Sequence, residues 1–190
     1  MKDFITIKEC DICSNKTLKK IFSLKKFPLT GIYLKKSQKL KTFDNDFMIC
    51  ENCNHGQLRK QINPKYLYQK TYTHRTSKSQ LAININEDFY NKLKKIIKNK
   101  KFKCILEVGC NDLLLAKKIK KHTKKIIGVD PIWGNNERNI DKKISIFGGF
   151  INDENLINKI NKKTLKNKID LVISSHTFEH TDTIKKSLQK

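Results

Sequence analysis

Two C-x-x-C pairs, Cys10-Asp-Ile-Cys13 and Cys50-Glu-Asn-Cys53, lie 36 residues apart near the start of the chain. A two-residue gap lets both thiolates of a turn face one ion, and two such knuckles supply the four sulfurs of a tetrahedral Zn2+ site. The segment around them has too little apolar surface for an independent core, so the ion is expected to supply much of its folding free energy. A full set of four sulfurs is closed, which makes the site structural and leaves the nearby His55 without a role in it. The gap is longer than in a compact finger and has room for a short strand or loop. Redox thiols or chance spacing are the competing readings.

The chain has 190 residues, with 41 Lys and Arg against 18 Asp and Glu, a formal charge of +23. Only Arg59, Arg75 and Arg138 are arginines, and the lysines are spread along the whole length. A nucleic-acid face usually recruits arginine for its planar fork. The charge therefore reads as solvation that brings salt-sensitive, non-specific attraction to RNA or anionic surfaces. No apolar run approaches the ~18–20 residues of a membrane span. Residues 1–10 mix Lys2, Asp3, Lys8 and Glu9 among apolar positions, so no secretory h-region is present there. The expectation is a cytoplasmic protein, where paired cysteines bind metal more often than they form disulfides.

Three segments follow from the pattern. Residues 1–75 form a zinc-binding domain. Residues 76–103 form a helical linker, in which Leu81, Ile85, Phe89, Leu93 and Ile96/Ile97 recur at three or four positions. In residues 104–190 short apolar runs (CILEVG, IIGVD, ISIF, DLVIS) alternate with the amphipathic stretches LLLAKKIKK and DENLINKIN. The second stretch has Asn152 as its expected N-cap, with Asp153 and Glu154 in the first turn. Strand and helix in alternation predict an α/β fold with a parallel sheet and right-handed crossovers.

A second constellation lies in this last segment. Ile105-Leu106-Glu107-Val108-Gly109-Cys110-Asn111-Asp112 reads as a buried strand running into a turn and a helix. Glycine there lets a ligand approach the backbone, and the helix start offers free N–H groups. Asp130 ends the next strand 21 positions after Gly109. In doubly wound folds an acid about 20 residues on binds a ribose hydroxyl pair. The turn is not G-x-G-x-x-G, which disfavours a dinucleotide pyrophosphate. S-adenosylmethionine fits better, because its cationic sulfonium tolerates Glu107 and Asp112 nearby. An ordinary strand–turn–helix is the competing reading.

Several segments together resemble the class I SAM-dependent methyltransferases that carry an N-terminal zinc-binding domain, the group containing nucleotide-sugar C-methyltransferases. They are CDIC and CENCNHGQL for the knuckles, YTHRTSKS for a Y-x-Y…S stretch, ILEVGCND for an E-x-G-x-N-D-G loop, IIGVDP, GGF and DLVISSHTFEHTD. The resemblance covers nearly the whole chain. It implies a partial Rossmann-like SAM methyltransferase sheet, strand order 3-2-1-4, preceded by the small zinc-binding domain.

The resemblance also implies roles. Cys10, Cys13, Cys50 and Cys53 would bind zinc. Glu107, Gly109, Cys110 and Asn111 would line the methionine end of the cofactor, Asp130 would hold the ribose, and Phe150 would lie near the adenine. His176, where the family often has Asn, would sit by the cofactor's amino-acid moiety, and His180 would face the substrate as general acid/base. Tyr72 is a further substrate-side candidate. The plainer readings make His180 a surface residue, Tyr72 a packing aromatic, Cys110 a small turn residue and Cys104 strand filler. Pro131 and Trp133 would then only shape the loop after Asp130.

The implied chemistry is methyl transfer to a carbon beside a sugar carbonyl, with a nucleotide-linked sugar as the small-molecule substrate. Leu113 stands where the family has Gly after N-D. The family continues past a fourth strand, so a fragment or split gene is expected, with a second chain completing the sheet at an unpaired edge. An RNA methyltransferase with a zinc module and a non-catalytic zinc-bound interaction module are the alternative readings.

Overall fold

In the computed structural model, which describes residues 4–28, 36, 37, 39, 41–63, 67, 68, 72–164, 168–181 and 184–188, the described residues between the cysteine pairs include two strands that pair antiparallel. The chain divides into two units, residues 1–73 with 181–189 and residues 74–180 with 190. No helix among the described residues is long and apolar enough to cross a membrane.

The first unit contains β1 (Phe4–Thr6), β2 (Leu18–Pro28), β3 (Thr42–Cys50), β4 (Gly56–Leu58) and β5 (Lys60–Ile62). β2 and β3 pair antiparallel from Leu18 opposite Cys50 to Pro28 opposite Thr42, with register shifts between Lys20 and Phe22 and between Leu24 and Phe27. β4 returns along β3, and β1 pairs with β5. Phe22 stacks on Phe47 with ring centroids 5.1 Å apart. Among the described residues of this unit, Met48, Cys10 and Cys50 are the buried apolar side chains. Two of these three are cysteines of the C-x-x-C pairs, so the described buried apolar surface of this unit gathers at the cysteines.

The second unit runs α1 (Gln80–Ile97), β6 (Phe102–Val108), α2 (Leu114–Ile119), β7 (Thr123–Val129), β8 (Glu137–Asn139), β9 (Ile144–Phe147), α3 (Glu154–Thr164) and β10 (Leu171–Ser174). A further helix, α4 (Ile184–Leu188), falls in the segment grouped with the first unit. The sheet order is β10-β6-β7-β9-β8. The first four strands are parallel, and β8 is an antiparallel addition against β9. The sequence does not announce β8, because Glu137, Arg138 and Asn139 are all exposed and carry no apolar signal.

Both faces of the parallel strands are covered, as their unbroken apolar runs require. Ile105, Ile126, Ile144, Ile146 and Ile173 pack with Tyr90 of α1 and Leu115, Ala116 and Ile119 of α2. On the other face Leu106, Ile127, Val129 and Phe147 pack with Leu156 and Ile160 of α3. Each fully buried side chain of this size contributes roughly 1.5–3 kcal/mol relative to exposure, so this unit carries its own stability.

Two sequence expectations need correction. α1, expected as a linker, belongs to the second unit: Tyr90 and Ile97 are buried, and Phe89 and Leu93 lie against the core. Its outer positions Leu81 and Ile96 are exposed, so the apolar stripe is narrower than its spacing suggests. The cap of α3 is Asp153 rather than Asn152. Asp153 Oδ1 accepts the Asn155 N–H at 2.9 Å, and its carbonyl accepts the Ile157 N–H.

Candidate functional site

The two knuckles of the first unit are built alike. Cys10 N–H donates to the Asn15 carbonyl and Cys50 N–H to the His55 carbonyl, while Ser14 and Asn54 N–H donate back to Cys10 and Cys50. Ser14 and Asn54 both take a left-handed backbone, φ 59 and 58. Each turn thereby aims two sulfurs at one point. The four Sγ atoms lie within 4.8 Å of one another, with Cys10–Cys53 and Cys13–Cys50 at 3.5 Å. A tetrahedron of ~2.3 Å Zn–S bonds has edges of about 3.8 Å, so the cluster has the size of a zinc site. No disulfide competes for these sulfurs. Asn52 and the Asn15 amide pull Cys13 down to about 6, whereas against the His55 amide, burial and the neighbouring thiols push Cys53 up to about 12.

Gln57 joins the knuckles, a role that sequence reading missed. This buried amide accepts the Asp11 N–H at 3.0 Å and donates to the Glu9 carbonyl at 3.1 Å. The Gln-Leu trailing the second pair was its only signal.

In the second unit β6 ends in a bend where Gly109, Asn111 and Leu113 are left-handed (φ 79, 39 and 71). Gly109 N–H donates to the Val129 carbonyl at 2.8 Å and Cys110 N–H at 3.2 Å, so the bend is tied to the end of β7. Gly109 and Asp130 therefore occupy the same end of the sheet. Asp130 is 7% exposed; its Oδ2 accepts the Asn111 N–H at 2.8 Å and its Oδ1 the Ile132 N–H at 2.9 Å. Burial raises the Asp130 carboxyl, opposed by those two amides and by the Arg75 guanidinium.

Glu107 is more deeply enclosed, at 4% exposure, and its Oε2 has no hydrogen-bond partner among the described residues. Burial, and then repulsion from Asp130, push its carboxyl up to about 8, with the Ala116 amide of α2 opposing. Two enclosed carboxyls at neighbouring strand ends mark a place built for a cation or for hydroxyl donors.

The remaining expected residues divide. Cys110 turns its thiol into the core: a β-carbon on Gly128 would lie 2.8 Å from its Sγ. Its structural role is thus to fill the space that Gly128 leaves. The space beside Gly109 is taken by Thr177, whose Oγ1 would stand 1.9 Å from an added β-carbon. On that side the approaching group is Thr177 rather than a ligand. Asn111 Oδ1 accepts from Thr76 and Asp112 amides, and its carbonyl accepts the Trp133 indole N–H at 2.7 Å.

His176 is exposed, with φ 53, and its Nδ1 lies 3.4 Å from Glu179. His180 is exposed at the end of the short 3-10 turn Phe178–His180 after β10. Phe150 is half-buried after the Gly148–Gly149 pair, and the Gly149 amide donates to the Asp130 carbonyl. Tyr72 belongs to the first unit, its ring edge-on to Tyr68 at 5.0 Å.

Reading the strand ends alone also missed a strap across the bend. Arg75 stands close enough to favour the Asp130 carboxylate, Thr76 N–H donates to Asn111, and Ser77 donates through N–H and hydroxyl to Asp112. Only the match of YTHRTSKS as a segment hinted at it.

The fold is a mixed α/β unit with a mostly parallel sheet, and the chain carries a four-cysteine cluster ahead of it. A family model of methyltransferase domains matches residues 78–190, more than half of the chain, and a zinc binding domain model matches residues 10–68. The chain belongs to the methyltransferase domain family, with a zinc-binding domain ahead of it. Comparison with curated proteins gives no match. Its cofactors are S-adenosylmethionine, which the methyltransferase domain takes as methyl donor, and zinc at Cys10, Cys13, Cys50 and Cys53. The residues present fit both groups. The four sulfurs have zinc dimensions, and the unpartnered Glu107 Oε2 suits a cationic ligand.

Proposed function

We propose that this chain methylates a carbon of a nucleotide-linked keto sugar, and that its second unit is a Rossmann-like SAM-binding domain. The observation that carries the cofactor half is the pair of enclosed carboxyls, Glu107 and Asp130, on adjacent strand ends in a chain of net charge +23. The acceptor rests on the resemblance of the knuckles, the ILEVGCND loop and DLVISSHTFEHTD to sugar C-methylating enzymes.

The bound cofactor supplies an electrophilic methyl on a sulfonium. Asp130, its orientation fixed by the Asn111 and Ile132 amides, keeps lone pairs for the ribose hydroxyls. Phe150, beside the Gly149 link to Asp130, would flank the adenine. Glu107 and Asn111 would hold the methionine end, with His176 beside it. His180 is assigned to take the proton next to the acceptor carbonyl. The protein's main contribution is alignment of the acceptor carbon with the methyl.

Isothermal titration with S-adenosylhomocysteine tests the cofactor half. Wild type should bind, and Asp130→Asn, which sets an amide NH2 against one of the two backbone N–H groups that Asp130 accepts from, should lose at least about tenfold, or about 1.4 kcal/mol. No heat at millimolar ligand would overturn the reading.

A further inference from the structure

The antiparallel sheet of the zinc unit has two unlike faces. Positions along a strand alternate between faces, and residues opposite one another share one. Both register shifts add a residue to β2 alone, so β3 alternates without interruption. Met48 and Cys50 are buried together with Gln57, which is opposite Met48 on β4, and they mark the inner face. The other face carries Phe43 and Phe47 of β3, opposite Phe27 and Phe22 of β2, with Leu58 of β4 beside Phe47.

A sheet packed on one side ordinarily turns polar residues to water on the other. Here Phe22 is 48% exposed, Phe27 42% and Leu58 42%. The backbone is shaped to put rings there. Without the second register shift Lys26 would stand opposite Phe43; the extra residue, held by Asp44 accepting the Lys26 N–H at 2.9 Å, brings Phe27 there instead. Gly56 leaves room for the Phe47 ring, since a β-carbon would lie 2.7 Å from it, and that ring stacks on Phe22 at an interplanar angle of 11°. The two phenylalanine rows are four residues apart on β3, about 13 Å.

The ends of this face are basic. Lys41 Nζ lies 5.5 Å from the Phe43 ring centroid, and the exposed Lys19 is opposite Ile49. Among the described residues no acid occupies a strand position of this face. Asp44 and Asp46 alternate to the other side and are engaged by Lys25 and Ser23.

We propose that this face is a stacking platform for single-stranded nucleic acid. Its bases lie on the Phe22–Phe47 and Phe27–Phe43 rows, and Lys19 and Lys41 meet its phosphates at the two ends. Aromatic faces accept any base, and flanking cations supply the attraction to the backbone. A duplex hides its base faces from the rings. A second copy of this chain fits less well, because it would bring the basic ends of two chains of charge +23 together. This function is separate from methyl transfer and does not rest on it.

The test is fluorescence anisotropy of the full chain with a labelled uridine strand of about 12 nucleotides. Phe22→Ala and Phe27→Ala should each weaken binding at least about fivefold, the loss expected when a stacked base loses its ring. Phe22→Tyr and Phe27→Tyr, which keep a ring, should bind like wild type. The slope of log affinity against log salt should stay the same in the phenylalanine variants and fall by about 0.7 in Lys19→Ala or Lys41→Ala. The matching deoxy strand should compete well, and a duplex or inorganic polyphosphate less well. Unchanged affinity in both alanine variants, or polyphosphate competing as well as the single strand, overturns the proposal and leaves lysine attraction alone. Tyrosine variants as weak as the alanine ones overturn it too, because the rings would then be structural. A dimer in sedimentation that Phe22→Ala or Phe27→Ala dissociates would make the face a contact between copies and overturn it as well.

Discussion

Leu113 holds a left-handed backbone (φ 71, ψ 23), a conformation that a β-carbon disfavours by roughly 1–2 kcal/mol. The position corresponds to a Gly in the sequences that this chain resembles, and the bend shows why: the turn from β6 into α2 needs positive φ there. The side chain offsets the strain by lying at 3% exposure in the core beside Gly128. Leu113→Gly should therefore destabilise by about 2–3 kcal/mol less than Leu115→Gly. Both lose a buried leucine, but only the first relieves strain, and the second adds the helix penalty of glycine. Urea midpoints of the two variants check this. Equal losses would mean that the bend relaxes without strain. At this scale the sequence named Glu107, Gly109 and Asp130, because strand-end chemistry is local. It did not reveal that Cys110 faces the core or that Thr177 fills the space at Gly109, since both depend on residues from other strands.

Among the elements, the two knuckles show how little local sequence a metal site needs. Each is a five-residue turn closed by its own backbone, and both were legible from the spacing of Cys10, Cys13, Cys50 and Cys53. Purified protein should contain about one zinc per chain by elemental analysis, and Cys50→Ser should lose it. Gln57→Ala leaves the Asp11 N–H and Glu9 carbonyl without their partner, a penalty of ~1–3 kcal/mol. Zinc affinity in chelator competition should accordingly fall by about 5- to 100-fold while stoichiometry stays at one. An unchanged affinity would show that Gln57 is not what joins the knuckles. The antiparallel pairing of β2 and β3 was not legible beyond a short strand or loop. Its face is mostly exposed, and two register shifts break the alternation that would signal it.

Across the whole chain the charge acquires a position that composition could not give. In the second unit Lys94, Lys101 and Lys121 converge on the buried pair of His122 and Tyr90 before β7, and Lys143 donates to the Thr123 carbonyl. These lysines gather at the starts of the parallel strands, whereas Glu107 and Asp130 lie at their ends. A polyanion is therefore expected to bind away from those two carboxyls. Binding of a homopolymeric RNA should weaken steeply between about 50 and 200 mM salt and be indifferent to saturating S-adenosylhomocysteine. Competition between the two ligands in fluorescence anisotropy would instead place the polyanion at those strand ends and favour a nucleic-acid acceptor.

Spacing and periodicity by themselves determined the zinc ligands, the four parallel strands and the acid at the end of the second of them. Each is a property of a few consecutive residues whose chemistry is the same in any surroundings. The tertiary structure alone decided that two carboxyls would share one enclosed strand end, with one oxygen of Glu107 left unpartnered among the described residues. Burial and the distance between charges are set by the strands packed alongside, and no stretch of sequence carries that information.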